Sequence, residues 1–128
     1  MNEPIFLSLA EVIDIHTNQI DLYGGQSGMR DMGLLQSAIA QPQASFSGHW
    51  LHNDIFLMAS AYAFHICQNH PFLDGNKRVA LATALVFLEL NDVSVVDPKQ
   101  RLLKSILDLA NGILNKADLA QVLRKLSS

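Results

Sequence analysis

Nine consecutive residues, His70-Pro71-Phe72-Leu73-Asp74-Gly75-Asn76-Lys77-Arg78, hold most of the chemically competent groups of this chain. His70 is the one group among them whose ordinary pKa lets it take a proton near neutral pH. Asp74 is a hard oxygen ligand of the kind Mg²⁺ accepts, usually one or two carboxylates beside substrate phosphates. Asp74-Gly75-Asn76 can turn backbone amides toward one point, with Gly75 allowing positive φ. Lys77 adds a point charge and Arg78 a fork of donors. Phe72 is expected to point inward and anchor the loop. Phosphoryl chemistry asks for such a set: positive charge where phosphate oxygens gather, and a group that orients the incoming hydroxyl.

The placement of Lys77-Arg78 sharpens the reading. A helix starting near Asn76 puts both cations in its first turn, where the macrodipole is already positive and each costs a few tenths to ~1 kcal/mol. A bound anion is the natural compensation, because a helix N-terminus offers free amides. A structural reading stands beside this one. Asp-Gly-Asn between helices is a good turn and cap, a histidine before proline is often solvated, and a Lys-Arg pair is usually a wet surface feature. The residues alone leave both open; their conjunction within one short loop favours a phosphate or nucleotide site.

The flanking sequence must supply the scaffold. Ser8 and Glu11 form a capping box that predicts a helix from about Leu9 to Leu22. Tyr23-Gly24-Gly25-Gln26-Ser27-Gly28 breaks it; this run follows a helix rather than a strand, so it is not read as a phosphate loop. A second helix is expected from about Asp31 to Ala40, then a loop from Gln43 to His52. Arg30 and Asp31 read as a helix cap and a surface ion pair. Asn53 or Asp54 caps a long helix that ends before Pro71. Arg78 to Leu90 is apolar nearly all round and belongs at the centre of the core. Val93 to Val96 is expected as a short strand against Ile5 to Leu7. Asp97-Pro98 reads as an N-cap and first-turn proline of a helix to about Ala110, stopped by Asn111-Gly112. Asn115 and Asp118 open a last helix to about Leu126. The sum is an all-α bundle of about six helices, in one domain spanning residues 1–128, with the loop between two buried helices.

Bulk properties narrow the function classes. A 128-residue chain buries roughly two thirds of its unfolded surface and needs no disulfide or metal staple. Its charged fraction is 16%, against a usual ~25%, which suggests an exposed apolar partner surface. A net charge of −3 argues against a general nucleic-acid or membrane-surface binder. The single cysteine, Cys67, reads as a small core residue, and its solitude fits a cytoplasmic setting. The start of the chain has no basic n-region and reads as no signal peptide. His16, His49, His52 and His65 show no metal-ligand spacing; His65 reads as a core or supporting group. Trp50 reads as loop packing.

His70 to Arg78 resembles the signature loop of the Fic/Doc superfamily (His, x, Phe, x, Asp/Glu, Gly, Asn, Gly/Lys, Arg), complete over the nine positions. Tyr23 to Asp31, Gly33-Leu34-Leu35, Ala40-Gln41-Pro42-Gln43, Asn69 and Phe87-Leu88-Glu89-Leu90-Asn91 are similar to its death-on-curing branch. The resemblance runs from about His16 to the C-terminal helix. It implies an α-helical protein that moves part of a nucleotide onto a hydroxyl of a protein target. It implies His70 as the base toward that hydroxyl, Asp74 as the Mg²⁺ ligand, and Gly75, Asn76, Lys77 and Arg78 as phosphate holders. AMP-transferring relatives usually carry Gly where this chain has Lys77, and a second Arg where it has Leu81. Both departures imply the death-on-curing branch, whose best-known member phosphorylates elongation factor Tu and is the toxin of a toxin–antitoxin pair. That member has Ala in place of Gly75.

The resemblance therefore implies a Mg²⁺- and ATP-dependent protein phosphotransferase. An AMP-transferring enzyme and a catalytically silent, partner-binding member stay open beside it. The chain carries no Ser/Thr-x-x-x-Glu-Gly/Asn stretch of the self-inhibited relatives. Control is thus expected from a separate cognate antitoxin, seated in a groove near the site.

Overall fold

In a computed structural model that describes residues 3–127, the chain forms six helices and one two-stranded pairing. Helix α1 (Leu9–Tyr23) begins at the Ser8/Glu11 capping box and buries the stripe Val12, His16 and Ile20. Helix α2 (Met32–Ala40) is capped by the Asp31 carboxylate, and a 3₁₀ turn (Gln41–Gln43) follows it. Helix α3 (Ile55–Asn69) starts where Asp54 accepts from the Phe56 and Leu57 amides. Helix α4 (Asn76–Leu90) follows the nine-residue loop directly. Helices α5 (Arg101–Ala110) and α6 (Lys116–Leu126) complete the bundle, the latter with an Asn115/Asp118 capping box.

Helix α3 is the hub. It packs most extensively on α4 and α6, and further on α2 and α5. Its buried residues include Met58, Tyr62 and Ile66, which meet Val79, Ala84, Phe87 and Leu88 of α4 in one continuous core. The Tyr62 and Phe87 ring centroids lie 5.2 Å apart. The Tyr62 hydroxyl accepts from the Leu7 amide at 2.9 Å, so the buried phenol is hydrogen-bonded. Burial raises its pKa to about 12. This all-α packing is the expected one, and its consequence is a rigid seat for the loop joining α3 to α4. Among the described residues no helix is long and apolar enough to cross a membrane.

Three local expectations are corrected. Residues 43–52 are not all loop: β1 (Ser45–Phe46) pairs antiparallel with β2 (His49–Trp50). Ser47 and Gly48 both take positive φ (52° and 80°), the geometry a two-residue hairpin turn prefers. The Trp50 ring meets Phe6 edge-on and does serve as packing. Second, Val93–Val96 does not pair with Ile5–Leu7. The Asn91 side chain bonds both the amide and the carbonyl of Ile5, and Tyr62 takes the Leu7 amide, leaving those groups no strand partner. Val95 instead bridges Ser127. Third, Pro98 is not in a first helical turn. Residues 97–100 form a turn of their own, and Asp97 caps α5 from outside by accepting from the Arg101 and Leu102 amides.

Candidate active site

Helix α3 ends because Pro71 disfavours a right-handed helical conformation in the residue before it. His70 turns left-handed (φ 50°, ψ 53°), while its amide still donates to the Ile66 carbonyl. Such a conformation costs a non-glycine residue about 1–2 kcal/mol and is a known place for stored strain at functional sites. Three carbonyls in a row, of Asn69, His70 and Pro71, are then captured from the α1–α2 connection. The Arg30 guanidinium donates to His70 O at 2.6 Å and Asn69 O at 2.8 Å, and the Arg30 and Asp31 amides both donate to Pro71 O. Asp31 is the helix cap that the sequence suggests. Among the described residues Arg30 makes no ion pair; its Nε and Nη2 donate to backbone carbonyls instead.

Below the loop, Phe72 is fully buried and stacks on His16, centroids 3.8 Å apart and nearly parallel. His16 Nε2 donates to the Asp74 carbonyl at 2.8 Å, since a carbonyl only accepts. Asn76 is also buried, and its side-chain amide bonds both the amide and the carbonyl of Phe72 at 3.0 Å. Its polar side chain is therefore spent on folding the loop, and what it offers an anion is its backbone amide.

The upper face is open. The Asp74 carboxylate is exposed and accepts from the Gln26 amide at 3.0 Å and the Gly75 amide at 2.8 Å. The Gln26 amide, then the Gly75 amide, holds the carboxyl below the ordinary carboxylate range, with smaller help from the charges of Arg78 and His16. Gly75 has φ 76°, and no side chain caps α4. Among the described residues the amides of Asn76, Lys77 and Arg78 have no acceptor. Lys77 is exposed and unpaired there, whereas Arg78 donates to the Gly24 carbonyl at 2.9 Å and lies 5.9 Å from the Tyr23 ring centroid.

The site residues proposed from sequence thus come together. His70, Asp74, Gly75, Asn76, Lys77 and Arg78 line one depression of about 240 Å³, with Phe72 as its floor anchor. An apolar groove of about 660 Å³ adjoins it and shares Lys77 and Arg78; Leu81, Leu85, Leu103 and Ile106 line its sides. Among the described residues no three His, Cys, Asp or Glu side chains cluster to hold a metal, so Asp74 stands as a single carboxylate. Free amides, two cations, one ionised carboxylate and an exposed imidazole can together receive a phosphorylated ligand and a proton.

Sequence reasoning missed three supports. His16 is a histidine on an apolar stripe, a signal that points inward without naming a partner. Arg30 acts across 39 and 40 positions of chain, and the glycine run across 48. The run is not a phosphate loop; it is the wall behind Asp74. A Cβ on Gly25 would sit 2.7 Å from Asp74 Oδ2, and φ is 116° there. Gly25→Ala is expected to destabilise the fold by about 1 kcal/mol, seen as a lower melting temperature; an unchanged melting curve would contradict the close approach.

Fold and site define a helical protein whose two central helices present an anion-receptive loop. A family model for the Fic/DOC family matches residues 6–88, from the residues before α1 through most of α4. "Protein kinase doc" of Escherichia phage P1 is 34% identical over 120 residues, covering 94% of each chain. "Toxin Doc" of Mycolicibacterium smegmatis is 38% identical over 82 residues, 64% of this chain and 63% of that one. The chain belongs to the Fic/DOC family, in its death-on-curing branch.

Proposed function

We propose that this chain transfers the γ-phosphoryl group of ATP, with Mg²⁺, to a hydroxyl of a target protein, and that it acts as the toxin of a toxin–antitoxin system. The observation that carries the reading is the uncapped start of α4. Three free amides and the Lys77 ammonium face the depression that the His70 imidazole also lines. In this reading His70 takes the proton from the target hydroxyl. The free amides of residues 76–78, with Lys77 and Arg78, hold the phosphate chain and meet the charge that gathers on the transferred group, while the Gly75 amide stays on Asp74.

Asp74 fits a Mg²⁺ ligand. It is ionised, exposed and fixed by two amides, and each of its oxygens keeps a free lone pair. A single carboxylate suits an ion that takes its remaining ligands from phosphates and water. The ion, when bound, would neutralise phosphate charge and orient the nucleotide.

Lys77 supports γ- over α-transfer, because a bulky cation fills space that glycine would leave to a nucleotide phosphate. Lys77→Gly is expected to shift the transferred group toward AMP, read with ATP labelled at the α- or γ-phosphate. An unchanged transferred group would remove Lys77 from the selection.

For the target we favour a translation factor such as elongation factor Tu, the substrate that the family resemblance implies. The antitoxin would lay an amphipathic segment in the apolar groove beside Lys77 and Arg78. The assay that tests the whole reading mixes the protein with bacterial lysate, Mg²⁺ and labelled ATP. Label from the γ-position on a protein band supports it. Label from the α-position moves the chain to the AMP-transferring class. No transfer with purified elongation factor Tu removes that target.

A further inference from the structure

We propose that Arg30 is a positioning residue of the site: its guanidinium holds the His70 backbone in the left-handed turn that keeps the imidazole in the depression. The catalytic consequence rests on the transferase reading above; the conformational one does not. Four non-glycine residues have positive φ among the described residues, and His70 alone of them lies between α3 and α4. A left-handed histidine persists only where surrounding structure holds it. Here the holder is visible. Arg30 Nε donates to the carbonyl of His70 itself, at 2.6 Å, and Nη2 to that of Asn69, at 2.8 Å.

These carbonyls are at the C-terminal end of α3, where orphan acceptors and the macrodipole both favour a cation. The planar fork spans two successive carbonyls, which a single ammonium does not reproduce. Arg30 and both of these bonds lie at the surface, yet the two donors are spent on backbone carbonyls. Truncating it leaves the segment docked, because the Arg30 and Asp31 amides still donate to Pro71 O and the Leu73 amide to Gly28 O. The side chain therefore acts on His70 more than on the fold.

Arg30→Ala is expected to lower kcat for transfer by about 10–100-fold, the range a displaced catalytic group loses, with KM for ATP within about twofold. Arg30→Lys should recover little, and added methylguanidinium should restore part of the Ala variant's rate. The decisive comparison is with His70→Ala. A residue that acts through His70 adds nothing once the imidazole is gone, so the double variant should match His70→Ala. A general structural role would instead lower the double variant further and change KM.

The backbone readout separates this proposal from the function. In ¹³C-labelled protein, the His70 Cα and Cβ shifts should report the left-handed conformation and lose it in Arg30→Ala. Retained left-handed shifts, an unchanged kcat, or full additivity with His70→Ala would each overturn the proposal. If the wild-type chain transfers no label while the shifts still change, the transferase reading fails and Arg30 stands as the holder of His70.

Discussion

On the phosphotransferase reading proposed above, replacing His70 by Asn is expected to lower phosphoryl transfer by ~10²–10⁴-fold, the usual cost of losing a general base, and to abolish toxicity while the protein stays folded. Asn is the better first choice than Ala because it tolerates the left-handed backbone that this position requires. The imidazole is exposed and makes no hydrogen bond among the described residues, so its removal takes no support from the core. The loop below keeps its anchors: Phe72 on His16, Asn76 on the Phe72 backbone, and Arg30 on the Asn69 and His70 carbonyls. Nucleotide affinity should stay within a few fold, because the free amides, Lys77, Arg78 and Asp74 are untouched. The measurement pairs γ-label transfer with MgATP titration on the same preparation. Retained toxicity in a folded His70→Asn protein would favour a binding role over catalysis.

That separation of chemistry from support explains what the sequence could reveal. The nine-residue loop was legible because its groups are contiguous and its cations sit at the wrong end of a helix. Helices α1, α3 and α6 were legible because Ser8, Asp54 and Asn115 cap them with partners two or three residues away. The supports were not, because their partners are remote. His16 reaches Asp74 across 58 positions, Gln26 reaches Asp74 across 48, and Arg30 reaches His70 across 40. No local spacing encodes such pairs. Asn76 shows the complementary limit: the family resemblance implied a phosphate holder, and the fold spends its side chain on Phe72 and leaves only its backbone amide free. Cys67, read as a core residue, is only half-buried, but burial pushes its thiol up to about 11, consistent with inertness. The hairpin at 45–50 escaped notice because strands of two residues carry no alternation to read.

Acid should loosen the contact between the start of α6 and helix α3. Lys116 opens α6, and its ammonium lies 3.2 Å from both His52 Nε2 and His65 Nε2, and 5.3 Å from the Phe64 ring centroid. An ammonium only donates, so both Nε2 atoms must accept and both rings must be neutral there. Burial, then the Lys116 charge, pushes His65 down to about 4; burial and Lys116 lower His52 in the same order. Both folded pKa values lie below the unfolded value near 6.5. Between pH 6.5 and about 4 the unfolded chain therefore binds more protons, and stability falls as pH falls. The contribution is fully present above pH 6.5 and lost toward pH 4. His65 is half-buried, so after discounting for solvent screening its share is about 1–2 kcal/mol, and His52 adds in the same direction. Asp74 and Glu11 are held below the ordinary carboxylate range, so their contribution is lost mainly below about pH 5, beneath both pH values of the urea comparison. Urea unfolding at pH 7.5 and pH 5.0 should show an earlier midpoint at the lower pH. His65→Gln keeps an acceptor for Lys116 but cannot titrate, so it should flatten that difference. Equal midpoints at the two pH values in the wild-type chain, or an undiminished difference in His65→Gln, would place the acid-sensitive groups elsewhere.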